Sequence, residues 1–181
     1  MNNQRTKKIV FTALFAALAF VATYVIVIPL PLGYFNAGDI IAILSGWLLG
    51  PIYGAIAAAI GGALADVLSG YVLYAPATLC IKACVAILAY FLFKILHKRL
   101  KKKYVFLSFG VSALVAESVM VLGYFLFDGV LYAFATAALS LLGNGMQGDL
   151  CAICATLLGV ALDSIPFVKR TFSSMFSSDK F

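Results

Sequence analysis

The sequence predicts an all-α membrane protein, one transmembrane domain over residues 1–181 with six transmembrane helices and both termini cytoplasmic. Three observations predict it. First, of 181 residues 64% are hydrophobic and only 11% charged, with a mean hydropathy of +1.08; a soluble domain carries about a quarter charged residues. Second, apolar runs of the length that crosses a hydrocarbon layer of about 30 Å recur from end to end. Third, the cations are segregated. Twelve of the 13 lysines and arginines fall at Arg5 to Lys8, Lys94 to Lys103 and Lys169 to Lys180, and basic residues mark the cytoplasmic ends of spans. The exception is Lys82.

That distribution also excludes nucleic acid as the partner of the net charge of +6. The four cysteines all lie in apolar runs. Cys80 and Cys84 share a helical turn, as do Cys151 and Cys154, but no histidine accompanies them. They read as small packing groups, neither a metal site nor a disulfide framework. No metal or cofactor is expected.

The spans follow in order. Residues 9–28 form the first, read as a membrane helix because no small-x-small cleavage site precedes Pro29. Ala13 and Ala17 recur at helical spacing on it, with Ala16 beside them, and small residues let another helix approach closely. Pro29-Leu-Pro31 ends the helix and an uncharged external loop runs to Gly38. Residues 39–49 make a short second span, headed by Asp39 where unpaired N–H groups favour a carboxylate. Gly50-Pro51 then turns the chain on the inner side, and the Ala- and Gly-rich residues 52–69 return outward. One kinked span is the competing reading; it would leave five spans and separate the two basic ends. Pro76 suits the first turn of the fourth span, 76–96. The fifth, 104–127, runs outward to Asp128-Gly129. Val130 to Leu142 is apolar without basic flanks and reads as an external re-entrant or surface segment. The sixth, 144–165, ends at Pro166 and Lys169-Arg170.

On this topology the internal polar residues share one depth. Asp39 heads the second span, Asp66 lies near the outer end of the third, and Lys82 is about two turns into the fourth. Glu117 is about 20 Å from the inner end of the fifth, and Asn144, Gln147 and Asp149 occupy the first turns of the sixth. Intramembrane ionisable groups usually face a bundle interior or a water-filled cavity and mark a substrate or ion path. The bland alternative is structural pairing, with Lys82 neutralised by Asp66 or Glu117. The inner half offers no matching set beyond Asp163, so the pattern describes an outward-opening pocket closed below rather than a channel.

Aromatic residues supply the walls: Tyr34, Phe35, Tyr71, Tyr74 and Tyr124 fall in or near this layer, although Tyr is enriched at membrane interfaces in any case. Aromatic faces with a few fixed hydrogen-bonding groups suit a small heteroaromatic ligand. Acids outnumber the lone lysine, which favours a neutral or partly cationic, hydroxylated ligand over a polyanion.

The ordered set Ala13-x-x-x-Ala17, Asn36-Ala-Gly-Asp39, Leu49-Gly-Pro-Ile-Tyr-Gly54, Ala65-Asp66, Gly70-Tyr71, Tyr74-Ala-Pro76, Lys82 and Asn144-x-x-Gln147-Gly148 resembles the substrate-binding S component of an energy-coupling factor (ECF) vitamin transporter. The likeness covers nearly the whole chain and is nearest to the riboflavin, hydroxymethylpyrimidine or pyridoxine-type branch. It implies a non-enzymatic subunit of a prokaryotic plasma membrane. Such a subunit captures a vitamin from outside, with the loop between spans one and two as a lid, and docks on a T component driven by two cytoplasmic ATPases. It is thought to topple in the membrane to release the ligand. Substrate binding is expected from Asn36, Asp39, Asp66, Tyr71, Tyr74, Lys82, Glu117, Tyr124, Asn144 and Gln147, and the Ala13/Ala17 face would meet the T component. The sequence has no Gly-x-x-x-x-Gly-Lys-Ser/Thr loop for ATP, so hydrolysis belongs to partners. The acid-rich layer makes a pyridoxine-like or hydroxymethylpyrimidine ligand the first expectation and riboflavin the second.

Two other classes compete. A self-sufficient permease requires a polar path through the inner half. An intramembrane enzyme requires a catalytic set, and the lone His97 lies in a basic cytoplasmic loop, away from any serine or metal ligand in the membrane.

Overall fold

The computed structural model describes residues 3–30, 33–100 and 104–176; Pro31, Lys101 to Lys103 and Lys180 lie outside the described residues, as do the side chains of Pro29 and Tyr34. The order is α1 (Asn3–Tyr24), β1 (Val27–Leu30), β2 (Gly33–Asn36), α2 (Gly38–Leu68), α3 (Ala75–Arg99), α4 (Val105–Tyr132), α5 (Phe134–Asp163) and α6 (Pro166–Phe176). Helices α1 to α5 are each long and apolar enough to cross a membrane. Their outward surfaces carry large apolar side chains, among them Leu14, Ile56, Phe106 and Leu157, as lipid-facing helices do. The protein is all-α apart from one hairpin and is a multi-pass membrane protein.

The hairpin is the first departure from expectation. Helix α1 stops at Tyr24 rather than continuing to residue 28. The run Val25-Ile-Val-Ile28 is β-branched throughout, which stiffens the side chains and favours extended backbone. β1 pairs antiparallel with β2, Val27 opposite Asn36 and Ile28 opposite Phe35.

The second feature is the reversal inside α2. Gly50 has φ 82° and ψ −179°, between two helical arms. The Ser45 hydroxyl donates to the Gly54 carbonyl at 3.0 Å, yet residues nine apart in a continuous helix stand about 13 Å apart. The arms are therefore neighbours that fold back on one another, as the turn at Gly50-Pro51 predicts. Glycine is required at the turn by its positive φ. It is also required at Gly54, where a Cβ would sit 2.5 Å from the Ser45 carbonyl oxygen.

The third is the length of α4 and α5. Both run through the apolar segment 130–142, read from the sequence as a separate external segment. They meet at Ala133, whose φ of 115° breaks the helix. With no glycine, proline or charged residue between Val130 and Thr136, that corner has no mark in the sequence. Helix α2 packs between α1 and α3, α3 on α4 and α4 on α5, while α5 closes back on α2 and β2. Small residues line the seams: Ala57, Ala86, Ala89, Ala113, Ala116 and Ala155 are fully buried.

Candidate functional site

The α2 reversal fixes the height of the site. Asp39 stands 11 residues before Gly50 and Gly62 stands 12 after it, so both arms reach one level. Lys82 of α3 lies there. A Cβ on Gly62 would approach the Lys82 Cγ to 3.2 Å and the Thr78 Cγ2 to 3.0 Å, so the missing side chain is what gives Lys82 its berth.

Lys82 forms an ion pair with Asp39, and both are buried, at 3% and 0% exposure. The partner is Asp39 rather than Asp66 or Glu117. In the sequence Asp39 reads as a helix-end carboxylate, but its oxygens make no cap bond. Just before the helix, Asn36 Oδ1 accepts the Gly38 N–H at 3.0 Å, and the first turn of α2 then points Asp39 into the bundle. Its second oxygen accepts from Gln147 Nε2 at 2.7 Å. Gln147 Oε1 accepts from Asn36 Nδ2 at 3.2 Å, and the Cys151 thiol donates to the Asn36 carbonyl at 3.4 Å. One chain of hydrogen bonds thus joins the β-hairpin, α2, α3 and α5. A pair of buried charges is tolerable only when its remaining bonds are made, and here Gln147 makes one of them.

Two more groups border the pair. The Lys82 ammonium lies 5.9 Å from the centroid of the Tyr124 ring, within cation–π range, and the Tyr124 hydroxyl is 2.9 Å from Thr78 Oγ1. Glu117 of α4 lies within electrostatic reach of both Asp39 and Lys82. It is 2% exposed, and neither of its oxygens has a hydrogen-bond partner among the described residues. Gly148 of α5 faces it: a Cβ there would sit 3.2 Å from the Glu117 Cβ. Phe35 of β2, next to Asn36 in the chain, is also buried.

Of the ten residues expected to bind substrate, Asn36, Asp39, Lys82, Glu117, Tyr124 and Gln147 come together in this constellation. Asp66 borders it, within electrostatic reach of Lys82, its Oδ2 buried without a hydrogen bond. Tyr74 belongs to another cluster. Its hydroxyl donates to Asp128 Oδ1 at 2.8 Å, and Ser140 donates to the other Asp128 oxygen at 3.0 Å. Burial, then the Asp128 carboxylate, hold the Tyr74 phenol above its ordinary range. Tyr71 is exposed and touches Tyr74 edge-on, and Asn144 is half-buried, one turn from Gln147. Asp149 is exposed. Sequence reasoning missed Thr78, Asp128 and Cys151 as polar partners. Thr78 and Cys151 each stand four residues from a recognised member, Lys82 and Gln147, and that spacing places them on the same helix face. Asp128 gave only the signal of a helix end.

A separate feature lies on the outside of the bundle. Ala13, Ala16 and Ala17 of α1, with Thr12, Tyr53 and Ile56, line an apolar groove of about 570 Å³ between α1 and the second arm of α2.

The comparisons agree with this architecture. The family model for the ECF-type riboflavin transporter, S component, matches residues 3–164. An uncharacterised protein of Pyrococcus woesei is 47% identical over 64 residues, which are 34% of this chain and 43% of that protein. The match therefore spans less than half the length of that curated relative.

Proposed function

Because the chain belongs to the family of S components of ECF-type riboflavin transporters, we propose that it is the vitamin-binding subunit of such a transporter, with riboflavin as its ligand. The observation that carries the reading is the buried constellation of Asn36, Asp39, Lys82, Glu117, Tyr124 and Gln147. It draws donors, acceptors and an aromatic face from four helices and the hairpin to a single depth. Counting the two arms of α2 separately, six spans would leave both basic ends of the chain on the cytoplasmic side of a prokaryotic plasma membrane. The S component does no chemistry; a T component and two cytoplasmic ATPases supply the drive.

The family match favours riboflavin over the pyridoxine-like or hydroxymethylpyrimidine ligand that the acids suggest. The physical reason lies in the ion pair. Asp39 is engaged by Lys82 and Gln147, so the layer is less acidic toward a ligand than its composition implies. The Ala13/Ala17 groove is apolar and open to the outside of the bundle, which supports docking of a T-component helix there.

The test is direct. Purified in detergent, the chain should quench riboflavin fluorescence on titration and release riboflavin on denaturation, with pyridoxine failing to compete. Uptake should require the T component and ATPases, and Ala13→Trp should keep binding while abolishing uptake. Uptake by the chain alone would support the permease instead.

A further inference from the structure

Among the described residues, Glu117 is the buried acid that the fold leaves without a hydrogen bond at either oxygen. Its neighbours explain why no protein group answers it. Lys82 is engaged with Asp39 and Gln147 is shared between Asp39 and Asn36. Gly148 offers no side chain, and Met120, which lies beside Gly148, is apolar. A buried polar group without a partner costs stability, more so when charged, so the carboxyl is retained at that cost. Two oxygens on one planar group, side by side, match two adjacent hydroxyls.

We infer that Glu117 receives the hydroxylated chain of the ligand, its two oxygens accepting from neighbouring hydroxyls of a polyol. The inference rests on riboflavin-type binding and adds to it which end of the vitamin meets α4. The ribityl chain carries hydroxyls on successive carbons, each able to donate and accept, so two of them answer both oxygens whether or not the carboxyl carries a proton, whereas the flavin ring has a single N–H donor. The ring then falls to the other side of the layer, where Tyr124 supplies an aromatic face.

The experiment compares riboflavin with lumiflavin, which has the same ring and no polyol, on the full chain in detergent. The wild-type chain should bind riboflavin about 10- to 100-fold more tightly than lumiflavin, as two hydrogen bonds to an otherwise unpartnered carboxyl confer. Glu117→Gln should remove most of that preference by weakening riboflavin while leaving lumiflavin unchanged. Equal affinity of the wild-type chain for the two flavins overturns the inference without needing any variant, and so does a variant that weakens both alike; in either case riboflavin binding itself stands. Binding of neither flavin to the wild-type chain overturns the riboflavin reading, and this inference with it.

Discussion

The polar layer around Lys82 and the aromatic layer beneath it are built from the same helices by opposite rules. Trp47 stands eight residues past Asp39, Phe109 eight before Glu117 and Gly159 twelve past Gln147, so this second layer lies about 12 to 18 Å further in. There Phe93 stacks on Phe109 at 4.3 Å, Trp47 meets Phe109 edge-on at 4.7 Å, and His97 stacks on Phe93. The one polar handle of Trp47 is used up on the Ala89 carbonyl, at 3.1 Å. Above, charges are buried and one carboxyl is left unanswered. Below, rings fill the space and the polar atoms are satisfied. The upper layer is suited to exchanging its contacts with a ligand, and the lower one to staying shut.

The comparison can be broken most severely at Lys82. Lys82→Ala leaves Asp39 buried and unpaired, and removing one partner of a buried pair costs about 3 to 5 kcal/mol. Riboflavin titration should show loss of binding, and thermal unfolding in detergent a large fall in midpoint. The double variant Asp39→Asn, Lys82→Met should recover much of the stability and none of the affinity; recovered affinity would mean the pair only holds the bundle. Next in size is Gly159→Ala. A Cβ there would lie 2.7 Å from Trp47 and 2.9 Å from Phe109, and overpacking of this kind costs about 1 to 3 kcal/mol. Stability should drop while the folded fraction keeps its riboflavin affinity, and an equal loss of affinity would show that the two layers are not separable. Least affected should be Asp163→Asn. Its pair with Lys169, at 2.9 Å, is largely open to solvent, and such pairs contribute less than about 1 kcal/mol, so neither the melting midpoint nor the titration should move measurably.

The depth of the layer was legible in the sequence because the energetic cost of charge in hydrocarbon leaves few placements for Asp39, Lys82 and Glu117. Gly50-Pro51 was legible as a turn for the same kind of reason: few residues tolerate that backbone. Pairing was not legible. Four acids stood at one depth, and choosing Asp39 for Lys82 depends on Asn36 holding the Gly38 N–H at the start of α2 and on Gly62 leaving room. The β-hairpin was hidden because Val25 to Ile28 is as apolar as the helix before it, and only its β-branching hints at a change of period. The corner at Ala133 was hidden because an alanine at positive φ carries no mark at all.

The reversal at Gly50 also acts as a ruler. Eleven residues of helix raise Asp39 about 16 Å above that turn, close to half the thickness of a hydrocarbon layer of about 30 Å. On the proposed reading, a vitamin seated in this layer has already completed about half its passage across the hydrocarbon when it is merely bound. The ATPases then have only the remaining half-thickness to drive, and what they must work against is the hold of the site rather than the full width of the membrane.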